Sequence, residues 1–152
     1  MTIYRPFLTT RPSELDAALT SDGIGTTIQP VWGLVPAASG SPETELVRRL
    51  ADCTRRVPWR IDARHLTDEP SPISAISAID AACRGGGITY VPVIQPNQTP
   101  EEMAATVAAV THHLSGLAVR LPWPAGAADV ERAAATVRAL GFRPAHADLI
   151  LD

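Results

Sequence analysis

The chain contains no lysine: all 13 of its basic residues are arginine. That excludes a Schiff-base lysine, a pyridoxal-phosphate attachment site and a Walker A lysine within these 152 residues. Cysteine is nearly as scarce. Cys53 and Cys83 stand alone, with no Cys-x-x-Cys and no Cys/His metal spacing. Both read as buried free thiols late in helices. No apolar run approaches the roughly 20 residues that span a bilayer, and MTIYRPFLTT lacks the charged-then-apolar order of a secretory signal. There is also no basic excess. The formal net charge is −3, with only 19% charged residues, so a nucleic-acid surface is not expected. A cytoplasmic location is the default expectation, with no membrane partner, no cofactor and no resident metal.

What is present is a repeat. One domain over residues 1–152 is expected at this length, large enough to bury about 68–70% of its unfolded surface. The stretch Gly87–Pro96, GITYVPVIQP, reads as a short buried strand. Runs of the same character recur at Tyr4–Thr9, Thr27–Leu34, Val57–Ala63, Gly116–Leu121 and Ala147–Asp152. Between them lie helical patterns, four of which open on a residue–proline pair: Arg11-Pro12, Ser41-Pro42, Ser71-Pro72 and Thr99-Pro100. Proline suits the first helical position, where its missing N–H costs nothing. Ser or Thr before it can accept from an orphan amide, and Thr99 with Glu102 fits a capping box. Apolar stripes follow: Leu46, Leu50, Cys53; Ile73, Ile76, Ile79, Cys83; and Met103, Val107, Val110, Leu114. Val130, Val137 and Leu140 give a weaker fifth helix that ends at Gly141.

Strand–helix alternation at a period near 30 predicts an α/β fold of about six parallel strands and five helices with right-handed crossovers. A doubly wound sheet and a partial (β/α) barrel compete. The doubly wound sheet buries both faces and favours continuous apolar strands. Here each strand pairs a greasy face with a polar one. Arg60 and Asp62 oppose Trp59 and Ile61, Arg120 opposes Val119 and Leu121, Asp148 and Asp152 oppose Leu149 and Leu151, and Gln95 ends the Thr89–Val91–Val93 face. A barrel can gather such polar groups at its mouth, so a partial TIM-barrel-like fold is the preferred reading. Prolines inside the runs (Pro6, Pro30, Pro92, Pro122) imply irregular strands or edges. A full eight-stranded barrel takes about 250 residues. A strand pattern ending at Asp152 therefore suggests either a fragment or completion by another copy.

These features resemble the phage-type beta protein family. The matching residues are Tyr4, Pro6 and Leu8 followed by Glu14, then Ile28-Gln29-Pro30 leading a strand, and Asp62 in the third strand. Pro92-Val93, the Arg120 strand and the closing Asp148–Asp152 complete the set. The resemblance runs along the whole chain and corresponds to the N-terminal half of a typical member. It implies a TIM-barrel-like fold, no settled reaction, and a setting in phage–host conflict that includes countering a toxic partner. Members often carry lysines after the first strand and an acidic residue closing the second. This chain instead has Thr9-Thr10-Arg11 and Trp32-Gly33.

In a barrel, function sits at the C-terminal strand ends. That selects Thr9, Asp62, Arg64, His65, Gln95, Asn97, Arg120 and Asp152. The candidate catalytic residues are Asp62, Arg120 and Asp152: two carboxylates for acid/base work or a divalent ion, and a guanidinium fork for a phosphate or carboxylate. His65, Gln95 and Asn97 are the candidate ligand-binding residues. The competing structural reading, favoured for these charges, is a buried ion network in which Arg60 and Arg120 neutralise Asp62, Asp148 and Asp152. His112 and His113 read as helix-end residues suited to the dipole. His146 reads as a turn residue, and Gly85–Gly87 as a helix stop. Trp32 and Trp59 read as core, and Trp123 as core, mouth or exposed patch. No motif names a reaction, so whether the chain is an enzyme stays open. The leading expectation is an accessory protein acting through self-association or docking on another protein at an open sheet edge. The rival is a barrel enzyme for a phosphorylated or acidic small molecule, and a truncated product without function of its own is a third reading.

Overall fold

The structure is a computed structural model that describes residues 7–21, 23–24, 28–35, 41–52, 57–63 and 72–151. Strands and helices alternate: β1 (Phe7–Thr9), α1 (Pro12–Leu19), β2 (Val31–Gly33), α2 (Pro42–Ala51), β3 (Trp59–Asp62), α3 (Pro72–Gly85), β4 (Tyr90–Ile94), α4 (Pro100–His113), β5 (Leu117–Leu121), α5 (Ala127–Ala139) and β6 (Ala147–Leu151). A short 3-10 turn, Pro144–His146, leads into β6. Among the described residues no helix is long and apolar enough to cross a membrane.

Four helices begin on the prolines the repeat singled out: Pro12, Pro42, Pro72 and Pro100. Their caps differ in quality. Thr99 and Glu102 form the reciprocal capping box, with the Thr99 amide donating to the Glu102 carboxylate at 2.7 Å. The Ser41 hydroxyl accepts from the Thr44 amide at 3.2 Å. Arg11 offers no side-chain cap, and Ser71 lies outside the described residues. At the start of α5, Asp129 reaches back to accept from the Gly126 amide at 2.8 Å.

All strand pairs are parallel and follow chain order, β1-β2-β3-β4-β5-β6. That order decides between the two architectures. A doubly wound sheet reverses its strand order to place helices on both faces. An unreversed order with right-handed crossovers puts every helix on one side. The sheet curls into a partial (β/α) barrel. The outer face packs on the helices through Trp32, Trp59, Ile61 and Tyr90 against Leu46, Leu50, Ile76 and Ile79, and through Val119 and Leu121 against Val110, Ala133 and Val137. The inner face carries Val31, Val91, Val93, Ala118 and Ile150, with Phe7 against them.

Several local expectations are corrected. Pro92 lies inside β4, between two neighbours, and not at an edge. β4 pairs with β3 through Tyr90–Pro92 and with β5 through Val93 and Ile94, so the changeover falls at the residue with no amide to donate. Pro30 and Pro122 fall just outside β2 and β5, and Pro6 lies outside the described residues. The α4 stripe stops short of Leu114, which caps the helix in the left-handed region (φ 48°) with its side chain in solvent. The glycine stop expected there, Gly116, instead sits where a Cβ would come within 3.0 Å of the His146 carbonyl. Gly141 does end α5, at φ 84°. Cys83 is buried and free, and burial pushes its thiol up to about 12. Cys53 is outside the described residues.

Candidate functional site

Period-2 alternation sends Arg60 and Asp62 to the inner face of β3, while Trp59 and Ile61 enter the helix layer. The same rule turns Ala118 and Arg120 inward on β5, and Asp148 and Ile150 inward on β6. Four ionisable groups are thereby delivered to an apolar interior, where a charge needs a partner.

They partner each other. Arg120 Nη1 donates to Asp62 Oδ2 at 2.8 Å, with the two side chains 13% and 1% exposed. Arg60 Nε donates to Asp148 Oδ2 at 2.8 Å, its Nη2 bonds the same oxygen, and its Nη1 donates to Gln29 Oε1 at 3.3 Å. The Arg120 guanidinium also lies 4.5 Å from the centre of the Phe7 ring, so β5 reaches across to β1. Three strand spacings separate β3 from β6, roughly 14 Å in a flat sheet. The Arg60–Asp148 contact exists because the sheet curls.

The rim above β1–β3 is knitted by hydrogen bonds. The Glu14 carboxylate accepts from the Thr9 amide at 2.8 Å and from the Thr9 hydroxyl at 2.9 Å. The Leu34 amide donates to the Asp62 carbonyl at 2.9 Å, and the Val35 amide to the Thr10 hydroxyl at 3.1 Å. The Thr9 amide, followed by its hydroxyl, holds the Glu14 carboxyl below its ordinary value. A depressed carboxyl contributes stability above its unfolded value of 4.5 and loses it as pH falls through the folded value. Glu14→Gln is therefore expected to be less stable than the parent at pH 7 and to converge on it in acid, read from urea midpoints at pH 7 and pH 3.

The sequence-derived candidates separate clearly. Asp62 and Arg120 meet directly. Gln95 is half-buried just after β4, and Asn97 is exposed in the following turn. Arg64, His65 and Asp152 lie outside the described residues. Trp123 is exposed in the loop after β5, so of its three readings core packing is excluded. Among the described residues no group of three or more His, Cys, Asp or Glu is placed to hold a metal ion. His112 and His113, read from the sequence as helix-end residues, in fact meet Asp80 across α3 and α4. The sequence signal for this cluster was Asp80, an acidic residue on the Ile76–Ile79–Cys83 side of α3.

The protein family described as Beta protein matches residues 4–152. The chain belongs to the Beta protein family. Comparison with curated proteins and with solved structures gives no match. The Beta protein match takes in every element from β1 to β6, and so both interior ion pairs. Family membership names no reaction for Asp62 or Arg120, and the rim motif Thr9-Thr10-Arg11 departs from the lysine-bearing pattern that the resemblance implies.

Proposed function

We propose that this Beta protein family member is a non-catalytic accessory protein that works through protein contacts, first of all with a second copy of itself, at the face formed by α5 and β6. The observation that carries this reading is the outer face of the last strand. Leu149 and Leu151 are 46% and 50% exposed, and Val130 on the facing helix is 44% exposed. Beside them an open groove runs between helix and strand, lined by Val130, Ala133, Ala134, Val137, Pro144 and Leu149. Strands of parallel sheets ordinarily have both faces covered. One patch here offers both a ridge of leucines and a groove of small residues, the self-complementarity a two-fold interface needs. The interior charges support the same reading, since Arg120–Asp62 and Arg60–Asp148 are engaged with one another.

The test is the solution mass by light scattering across a concentration series. A dimer is expected, and Leu149→Asp with Leu151→Asp should return it to monomer with the helical signal unchanged. A parent chain that stays monomeric at every concentration, or a double variant that stays dimeric, overturns the proposal.

A second reading rests on Arg120, near the C-terminal end of β5 over the Phe7 ring. There it would receive a phosphorylated or acidic small molecule, with Asp62, 2.8 Å away, as acid/base partner. A thermal shift with phosphate-bearing ligands that Arg120→Met abolishes is the result this reading requires.

A further inference from the structure

We infer that the joint between α3 and α4 is an acid-sensitive latch, built on one buried carboxylate shared by an arginine and two histidines. Asp80 of α3 is the centre, its side chain 8% exposed. Arg84 Nη2, one turn on, lies 3.2 Å from its Oδ2. From α4, His112 Nδ1 lies 3.0 Å from the same Oδ2, and His113 Nε2 lies 3.1 Å from Oδ1. The two histidines differ in setting. His112 is 43% exposed and His113 only 5%. The His113 ring also stands edge-on to Tyr90 of β4, with centroids 5.8 Å apart and planes at 84°. Although His113 Nε2 and Asp80 Oδ1 approach closely, they are off line, and neither completes a hydrogen bond.

The charges facing His113 are few. α3 supplies Asp80 and Arg84, α4 supplies His112, and no other charged group acts on it among the described residues. Cys83 of α3 and Tyr90 of β4 stay un-ionised, because burial raises both far above neutrality. α5, on the other flank of α4, meets it through Ala133 and Val137 against Val110. With both imidazoles neutral, Arg84 and Asp80 balance. With His113 protonated, a second cation joins Arg84 at that carboxylate, on a side chain only 5% exposed.

The direction follows. Burial lowers the His113 imidazole below its ordinary 6.5, and outweighs the pull of Asp80. An unfolded or opened His113 therefore binds its proton at higher pH than the closed one. The closed joint is at full strength above about 6.5 and weakens as pH falls through that value towards the folded one. Each unit of depression is a tenfold gain in opening. Acid thus releases the end of α4 from α3 and from the first residue of β4.

The experiment is an NMR titration of the histidine ring protons, with amide exchange of α4 followed between pH 7.5 and 5. His113 is expected to titrate below 6.5, and opening of α4 to rise about tenfold for each unit of that depression. His113→Gln should flatten this rise, whereas His112→Gln should leave most of it. A His113 titration at or above 6.5, or α4 exchange that rises no more than that of α1, overturns the latch. Should His113→Gln fail to fold, the parent's ring titration and exchange decide the matter alone.

Discussion

Asp62→Ala is expected to destabilise the protein by about 3–5 kcal/mol, the usual cost of removing one member of a buried ion pair. The loss does not measure what the 2.8 Å bond contributes. It comes from Arg120, whose side chain is 13% exposed and loses the Asp62 carboxylate. The Phe7 ring, 4.5 Å from the guanidinium, attracts it less strongly than a carboxylate does. The double variant Asp62→Leu with Arg120→Met should recover most of the loss, because swapping both partners for apolar groups of similar size is often neutral or better. Urea midpoints of the two single variants and the double variant check this. The same experiment separates the functional readings. If Asp62→Ala keeps its midpoint but loses a ligand-induced shift, the carboxylate serves a ligand and the paired-charge account fails.

Trp32→Ala should cost a similar amount, about 3–5 kcal/mol, by opening a cavity between β2 and the helix layer. Trp32 is wholly buried, with no exposed surface to soften the loss. Trp32→Phe is the sharper test. The indole Nε1 is buried with no hydrogen-bond partner among the described residues. An unmade bond of that kind costs roughly 1–3 kcal/mol. Removing it offsets much of the volume lost, so Trp32→Phe is expected within about 1.5 kcal/mol of the parent. A loss near that of alanine would mean that the N–H is satisfied after all. Thermal and urea unfolding of the two variants side by side give the answer.

Local rules made the element plan legible. Proline at a first helical position acts through its own ring, so Pro12, Pro42, Pro72 and Pro100 marked helix starts without reference to the rest of the fold. The Thr99–Glu102 box closes over three residues and was equally readable. Strand alternation announced that Arg60, Asp62, Arg120 and Asp148 face one way. It grouped them as one ion network without saying which arginine meets which carboxylate, and Asp62 stood as a catalytic candidate because it closes β3. Leu114 misled because periodicity cannot see the left-handed turn that ends α4 one residue beyond His113. His113 misled because a helix-end position says nothing about which neighbour covers it, and here Asp80 and Tyr90 do.

The alternation of strand and helix, the helix starts and the charged strand faces could be read from the residues alone. Each of these follows from steric and hydrogen-bonding preferences acting over a few residues. The folded arrangement fixed the pairing of Asp62 with Arg120 across 58 residues and of Asp148 with Arg60 across 88. It alone set Asp80 between two histidines and left Leu149 and Leu151 half in solvent. Those outcomes depend on strand order, register and the curl of the sheet, which are set by the packing of all the elements at once.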